Sequence, residues 1–443
     1  MRIPEIATSS LLIEQTRETL ADMAKKMKDP SIADEVGYPI GYPTTFLPFD
    51  YRNGLRVTTT HMYKDIEMIY DSIGIGSGSM NMVIGKTGTA KTTFLTQAVT
   101  SMMLPFLGRT MLLYYDLEGG TSKPRMQIVT GWNSRLIEQH IILKQRGINS
   151  ESFFTQVSDH CNKKLKMALT NPEMMTYDTG LYDMYGKRKF DLVPTFIILD
   201  SLPLLVPKDM TEDEKVSGNM SAAAVARINT QIFKRLTPLL KSANVILFVV
   251  NHINQNININ PFAPKQAQIN YLKQDETLPG GTAPLYLSNN IIKFSTSTKL
   301  TSDKEFGING WISKVHLIKS RMNRAGQEFG LIYNQETGFD RELSMFQMLH
   351  ENGLVKSGSW SYLEGLPSSK FQKKTFLSKL ESDEQFRLHM RNMVVNLGDT
   401  LLSNSNAHDA LQNQSNIDDE IENALFENIL MNDFTHEDIG GYY

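Results

Sequence analysis

The pattern of apolar and polar positions divides the chain into segments with different predicted structures. Residues 7–29 repeat apolar side chains at helical spacing, and Pro30 ends this predicted amphipathic helix. Residues 30–60 are rich in Pro, Gly, Tyr and Thr and predict an extended connector. From about residue 62 to 335, short apolar runs alternate with helical segments, which is typical of a parallel α/β sheet.

Four runs in this region are almost continuously apolar and predict buried central strands. In chain order they cover residues 80–84, 110–115, 195–199 and 245–250. Helical spacing returns at 342–353 and 372–396 and predicts a second, smaller unit. The sequence therefore predicts an N-terminal helix and arm (1–61), an α/β core (62–339), a small C-terminal α/β domain (340–400) and an acidic tail (401–443), with a short amphipathic helix at 421–434.

Composition limits the class of protein further. The 443 residues are 41% apolar and 21% charged, as in globular proteins. The single cysteine, Cys161, excludes an internal disulfide and fits a reducing compartment. No apolar run approaches the roughly 18 residues of a membrane span, and the first residues lack the apolar segment of a signal peptide. We therefore predict a soluble, cytoplasmic protein without a membrane partner.

The charges are distributed unevenly. Residues 392–443 contain ten acidic side chains and no Lys or Arg, so they carry −10. Since the whole chain carries −3, the first 391 residues carry +7. A basic body with an acidic tail suggests that the body meets a polyanion and the tail competes with it. A tail that only increases solubility is an equally good explanation.

A segment rich in Gly, Thr and Lys follows the first apolar run. Its residues lead into an apolar helix and are Gly85, Lys86, Thr87, Gly88, Thr89, Ala90, Lys91, Thr92 and Thr93. Apart from Ala90, which replaces the second glycine, they match the P-loop pattern G-x-x-x-x-G-K-[ST]. Backbone N–H groups would hold the phosphates, Lys91 would neutralise the β- and γ-phosphates, and Thr92 would bind Mg²⁺. A plain turn before a helix is the alternative, but strand, loop, Lys-Thr and helix occur together.

The other three runs end in polar side chains. Asp200 closes the third run, where a P-loop protein has its Mg²⁺-directed acid, although an Asp here also suits the cap of a turn. Asp116 and Glu118 follow the second run on one face of the strand. If this strand lies beside the P-loop, Glu118 can polarise a water for attack on the γ-phosphate. Asn251 and His252 end the fourth run and either sense that phosphate or are structural.

In this order, the motifs resemble those of RecA-family strand-exchange recombinases, especially the bacteriophage UvsX branch, over about residues 73–396. The segments that match are GKTGTAKTT, YYDLEGG, FIILDSL, FVVNHIN, PGGTAPLYLSN and KVHLIKSRMNRAG, and RELSMFQMLHENGLVKSGSWSYL resembles the junction into the small C-terminal domain. The resemblance implies a RecA-like P-loop ATPase core that uses ATP and Mg²⁺. Residues 140–192 exceed what the family needs and predict an extra hairpin of unknown use.

The resemblance also implies a role for individual residues. Glu118 would be the general base, and His252 would stand at the family's γ-phosphate sensor. Lys319 and Arg321 would reach ATP bound to the neighbouring subunit, and Tyr333 would contact the nucleotide.

Two polar stretches, 207–221 and 253–281, follow carboxyl ends of predicted strands, where open α/β sheets bind ligands. The resemblance makes them DNA loops that face a filament axis. Their side chains and those of the adjoining helix suit contacts to phosphates and bases. The candidates are Met220, Arg227, Lys234, Arg235, Ile257, Phe262, Lys265, Tyr271 and Lys273. Without the resemblance, mobile polar loops with solvated side chains explain them equally well.

The sequence thus predicts an ATP-dependent recombinase that polymerises on single-stranded DNA and exchanges strands with a homologous duplex. Residues 1–61 would reach onto the neighbouring subunit, with ATP at the interface. The acidic tail would restrain duplex entry or dock a single-strand-binding or mediator protein. Two alternatives stay open: a ring-forming helicase with the same core, and a non-catalytic protein that loads or regulates a recombinase.

Overall fold

The computed structural model describes residues 40–61, 66–182, 188–212, 222–255, 269–273, 275–281, 283–302, 306–358, 360–366 and 370–403. The predicted helix at 7–29 and nearly all of the acidic tail lie outside these ranges. None of the helices within them is both long and apolar enough to cross a bilayer.

The elements follow one another in the order expected of an α/β protein. The strands are β1 (Gly41–Tyr42), β2 (Leu55–His61), β3 (Ile66–Ser72), β4 (Ile75–Gly76), β5 (Met80–Gly85), β6 (Leu112–Asp116), β7 (Ile141–Lys144), β8 (Thr176–Tyr182), β9 (Arg188–Leu192), β10 (Thr195–Asp200), β11 (Val245–His252), β12 (Asn254–Gln255), β13 (Glu276–Thr277), β14 (Asn290–Leu300), β15 (Gly310–Lys319), β16 (Gln327–Asn334), β17 (Gly338–Asp340), β18 (Val355–Lys356) and β19 (Tyr362–Leu363). The helices are α1 (Leu47–Arg52), α2 (Lys91–Met103), α3 (Lys123–Thr130), α4 (Ser134–His140), α5 (Ser150–Thr170), α6 (Pro172–Met175), α7 (Lys208–Glu212), α8 (Ala222–Ser242), α9 (Ala283–Leu287), α10 (Arg341–Glu351), α11 (Phe376–Ser382) and α12 (Glu384–Ser403). Short 3₁₀ turns lie at Leu104–Phe106, Leu202–Leu204 and Lys373–Thr375.

A nine-stranded sheet forms the centre, in the order β17-β16-β15-β14-β5-β11-β10-β6-β7. The six strands from β14 to β7 are parallel, and β15, β16 and β17 extend the sheet as antiparallel neighbours. The predicted mostly parallel central sheet is therefore confirmed. The four apolar runs became β5, β6, β10 and β11, which lie side by side and are buried at almost every position, as expected of strands covered on both faces.

The strand register brings the polar strand ends together. Asp200 pairs with Asp116 across β10 and β6, and His252 pairs with Gly85 across β11 and β5. Because these strands are parallel, their carboxyl ends meet at one edge of the sheet. The start of the P-loop, both acidic strand ends and the polar pair of β11 therefore share that edge.

Helices cover both faces of the sheet. On one face, α2 inserts Phe94, Leu95, Ala98 and Val99 into the core. On the other face, α5 contributes side chains such as Phe153, and α8 packs through Ile232, Phe233 and Leu236. These apolar stripes repeat every three or four residues, so each helix buries one side against the sheet.

The segment before the sheet differs from the predicted extended connector. Residues 40–61 contain β1, α1 and the start of the β2–β3 hairpin. Phe49 of α1 is fully buried and packs against Phe94 and Phe329, at ring-centroid distances of 5.8 and 6.3 Å. The side chain of Asp50 closes a short turn by accepting hydrogen bonds from the backbone and hydroxyl of Thr44. Residues 40–54 are thus built into the core of their own chain.

The long segment at 140–192 forms regular elements over its described residues, 140–182 and 188–192. It supplies the edge strand β7, the 21-residue helix α5 and an antiparallel hairpin formed by β8 and β9. Asn244 fixes the hairpin to the core, because its Nδ2 donates to the carbonyl of Leu192 and to the hydroxyl of Tyr42. The buried Lys164 of α5 donates to the carbonyl of Asn244 from the other side. A polar network therefore holds this segment against the sheet.

After the sheet, α10, the β18–β19 ladder, α11 and α12 share a third apolar cluster, which also includes Leu300 of β14 and Ile332 of β16. The predicted helix at 372–396 is divided in two, because Asp383 leaves the helical conformation and caps α12 by accepting from the N–H of Phe386. Helix α12 continues to Ser403, and Asp399 on it pairs with Arg56 of β2 at 2.9 Å.

Candidate active site

The P-loop motif connects β5 to α2 as a compact turn. Gly88 and Ala90 both have a left-handed backbone, with φ of +77° and +62°. The Lys91 ammonium folds back over the loop and donates to the carbonyls of Gly85 (3.1 Å) and Lys86 (2.9 Å). The exposed loop and the start of α2 thus leave backbone N–H groups available for phosphate oxygens.

Thr92 and Asp200 form the candidate Mg²⁺ site. The Thr92 hydroxyl donates to Oδ2 of Asp200 at 2.6 Å. Burial raises the pKa of Asp200, and the nearby carboxylates of Glu118 and Asp116 act in the same direction. Burial likewise lowers the pKa of Lys91, although Asp200 and Glu118 oppose that shift. A buried carboxylate beside a hydroxyl, under repulsion from other carboxylates, fits an Mg²⁺ ion that takes its remaining ligands from phosphates and water.

Glu118 and His252 form a second pair beside the phosphate loop. Oε1 of Glu118 lies 2.6 Å from Nε2 of His252, and both side chains are partly exposed. Burial opposes ionisation of Glu118, but the contacts with His252 and Ser201 and the charge of Lys91 together outweigh it, so the pKa of this carboxyl is lowered. An ionised carboxylate held by a second side chain can accept a proton from a water molecule.

Asn251 connects this pair to the end of the second polar stretch. Its Oδ1 accepts from the N–H of His252, and its Nδ2 donates to the carbonyl of Pro279, both at 2.8 Å. Beyond His252, β12 pairs with β13 and closes the base of the 253–281 stretch. Asn251 and His252 are therefore connected to both ends of this stretch.

Three residues of the site were not singled out as functional from the sequence. The carboxylate of Asp116 is buried and accepts hydrogen bonds from the backbone N–H groups of Gly119 and Thr121, each at 2.9 Å. Gln145, just after β7, donates to the same carboxylate at 2.8 Å. Tyr114 contacts Asp200 from within β6. The only available signal was alternation along β6, which puts Tyr114, Asp116 and Glu118 on one face.

Lys319 lies towards the opposite edge of the sheet from the P-loop. It pairs with Ile291, which pairs with Met82, three residues before Gly85 on β5. With about 3.3 Å per residue and about 4.8 Å between strands, the Cα atoms of Lys319 and Gly85 are roughly 14 Å apart.

Lys319 and Arg321 instead bind the end of α9. Nζ of Lys319 donates to the carbonyls of Leu285 (3.0 Å) and Tyr286 (2.7 Å), and Arg321 donates to Tyr286 at 3.0 Å. Burial and the neighbouring Arg321 lower the pKa of Lys319 to about 8. The two cations therefore lie together, and their hydrogen bonds described here go to the end of α9.

Tyr333 is mostly a core residue in this structure. Its ring packs against Trp311 and Phe339, at centroid distances of 4.3 and 5.1 Å, and is 8% exposed. Its hydroxyl accepts from Arg125 at 3.4 Å, and the same guanidinium donates to the carbonyl of Glu336. A nucleotide contact by Tyr333 stays a prediction.

The predicted DNA contacts are only partly described. Four of them lie outside the described residues: Met220, Ile257, Phe262 and Lys265. Arg227, Lys234 and Arg235 are exposed on α8, and the Arg235 guanidinium lies over the ring of Phe154, 4.4 Å from its centroid. Tyr271 and Lys273 are also exposed, with the ring of Tyr271 against His316.

Comparison with known proteins adds a distant relationship. The chain is 28% identical to Protein RecA of Bifidobacterium breve over 226 residues, which are 50% of this chain and 49% of that protein. It is 26% identical to Protein RecA of Aquifex aeolicus over 221 residues (49% and 54%) and 27% identical to that of Mycobacterium avium over 252 residues (54% and 60%). The chain thus spans about half the length of these relatives. No protein-family model matches it.

Proposed function

We propose that this protein is an ATP-dependent recombinase of the RecA type, similar to the UvsX branch, that polymerises on single-stranded DNA and exchanges strands with a homologous duplex. One observation carries the proposal: the Thr92–Asp200 pair and the Glu118–His252 pair flank Lys91 at one edge of the sheet. A phosphate loop, a metal-directed acid and a polarised carboxylate are what hydrolysis of ATP requires.

The site divides the reaction among its own side chains. The loop N–H groups and Lys91 would hold the β- and γ-phosphates, while Thr92 and Asp200 would hold Mg²⁺, which supplies charge neutralisation. Glu118 would take a proton from water as the water oxygen attacks the γ-phosphorus and the bond to the bridging oxygen breaks. The contact with His252 helps to keep Glu118 ionised, and we propose that His252 also responds when the γ-phosphate leaves.

Lys319 and Arg321 support an interface between subunits. They cannot reach the phosphate loop of their own chain from where they bind α9. In the proposed filament they would instead approach ATP on the neighbour, where in-trans cations raise phosphoryl-transfer rates by several orders of magnitude. Such a contact joins two different surfaces, so it generates an open helical assembly when the rotation between subunits does not close a ring.

The link from His252 through Asn251 to Pro279 supports coupling to DNA. It connects the γ-phosphate side of the site to both ends of the 253–281 stretch, which we propose as one DNA loop. Contacts to single-stranded DNA would then strengthen or weaken with the nucleotide state, while base pairing reads sequence.

Two variants test the chemistry. Lys91→Ala should abolish ATP hydrolysis, because the phosphates lose their cation. Glu118→Gln should bind ATP and single-stranded DNA but not hydrolyse ATP, because the amide cannot accept the proton. Normal hydrolysis by the Gln variant would remove Glu118 as the base.

Electron microscopy tests the assembly. With single-stranded DNA, Mg²⁺ and a non-hydrolysable ATP analogue, the protein should form continuous helical filaments. A strand-exchange assay would then test whether these filaments pair homologous DNA. Closed rings would point to the helicase alternative, and unassembled particles to a regulator.

A further inference from the structure

We infer that Tyr114 is a positioning residue, which joins the metal-directed carboxylate of Asp200 to the loop that carries Glu118. The inference rests on the proposed function and adds to it a residue with no role in the sequence motifs. Its hydroxyl donates to Oδ2 of Asp200 at 3.3 Å and accepts from the hydroxyl of Thr121 at 3.2 Å. The Tyr114 hydroxyl thus contacts both the metal-directed carboxylate and the loop that carries Glu118.

The burial of Tyr114 makes these two contacts consequential. The side chain is fully buried in β6, and its residue pairs with Ile198 on the strand that ends in Asp200. A buried hydroxyl without partners is unfavourable, and the two hydrogen bonds to Asp200 and Thr121 offset that cost here. A phenylalanine would fill the same space in the surrounding apolar cluster.

Thr121 is itself held firmly, so the phenol connects two fixed points. The N–H of Thr121 donates to Asp116, and its carbonyl accepts from Gln145 at 3.0 Å. At the other end of the loop, the N–H of Leu117 donates to the carbonyl of Asp200 at 2.6 Å. Glu118 lies between these anchors, so a change in the position of Asp200 is transmitted to it.

Tyr114 differs from Thr92, the other donor to Oδ2 of Asp200. In the proposed function the Thr92 hydroxyl becomes a metal ligand, and its hydrogen bond to Asp200 is then in competition with the metal. Tyr114 contacts Asp200 from the neighbouring strand β6 and is not a proposed metal ligand. It is therefore the donor that can keep Asp200 oriented throughout the cycle.

The test compares Tyr114→Phe with a matched control, Tyr115→Phe. Tyr115 is the next residue on the strand, and its hydroxyl contacts Gln156 on the other face of the sheet. For each variant, the Mg²⁺ concentration at half-maximal ATPase rate on single-stranded DNA is measured, together with the Mg²⁺ dependence of binding a fluorescent ATP analogue. We expect Tyr114→Phe to raise both Mg²⁺ midpoints about fivefold, as for one lost hydrogen bond, with the KM for ATP at saturating Mg²⁺ unchanged.

A double-mutant cycle separates positioning from a general structural effect. Thr121→Val removes the donor to Tyr114 and should likewise raise the Mg²⁺ midpoints. If the hydroxyls of Thr121 and Tyr114 and the carboxylate of Asp200 act as a unit, the double variant should have the same Mg²⁺ midpoints as Tyr114→Phe alone. Additive effects, or Mg²⁺ midpoints equal to those of Tyr115→Phe, would overturn the inference. Should Lys91→Ala retain ATPase activity, the proposed function itself would fail, which is a distinct result.

Discussion

Replacing Ala90 with glycine should stabilise the protein, although it removes a methyl group. Ala90 precedes α2 in the left-handed conformation, with φ of +62° and ψ of +25°. A residue with a Cβ atom pays roughly 1–2 kcal/mol for this backbone, whereas glycine adopts it freely. The methyl group is only partly buried, so its loss removes little packing.

The net effect is smaller than the strain alone. Glycine has more freedom in the unfolded chain, which offsets about 0.4–1 kcal/mol of the gain. Ala90→Gly should therefore raise the free energy of unfolding by about 0.5–1 kcal/mol. Gly88, two residues earlier, allows the reverse experiment, since its φ is +77° and an added Cβ would meet no atom within 4 Å. Gly88→Ala should lower the free energy of unfolding by a similar amount, because only the backbone conformation becomes less favourable.

Equilibrium urea unfolding of both variants, without nucleotide, measures these differences and avoids stabilisation by a bound ligand. The wild-type midpoint should lie between the two. If Ala90→Gly lowers the midpoint, or if Gly88→Ala leaves it unchanged, then backbone strain does not set the stability of this loop, and the reasoning is refuted.

Three other predictions concern charged groups. Burial lowers the pKa of Lys319 to about 8, and the proposed function uses Lys319 as a cation, so DNA-dependent ATPase activity should fall as pH rises through that value. Lys319→Arg should remove the fall, and a pH profile identical to that of the wild type would contradict this. Burial lowers the pKa of Lys164 to about 7, so between pH 7 and about 10.5 the unfolded chain binds more protons and stability rises with pH. Lys164→Met lacks this titrating group, so the unfolding midpoint of the variant minus that of the wild type should be more positive at pH 7 than at pH 10, and an equal difference would rule out this linkage. Deletion of residues 404–443 should strengthen duplex binding and change its salt dependence, and binding that is unchanged across a salt titration would leave the tail a solubilising role.

The central sheet was predictable because its strands are buried on both faces and read as uninterrupted apolar runs. The strand ends then gave the candidate site, since carboxyl ends of parallel strands converge. The α1 turn was missed because Pro48 and Phe49 look like connector residues until the aromatic partner Phe94 is in place. These contacts depend on residues far apart in the chain, which periodicity does not detect.

The register of the strand pairing around Tyr114 could not be predicted from the sequence either. Sequence alternation gives the face of a strand but not the side chain opposite it, so the contact between the phenol and Asp200 required the pairing of β6 with β10. Similarly, the break at Asp383 was missed because apolar spacing continues through it, and only its capping bond to Phe386 reveals two helices.

The P-loop and the Lys319–Arg321 pair lie at different places on the subunit, and this makes ATPase activity depend on the number of subunits in a filament. If each subunit completes the site of the next, a row of subunits contains one fewer finished site than it has members. An isolated subunit would then be almost inactive, and activity per subunit would climb with row length towards a plateau. The rate of ATP hydrolysis per subunit would therefore report filament length. The one terminal subunit whose site lacks a neighbour would keep its ATP longer than the rest.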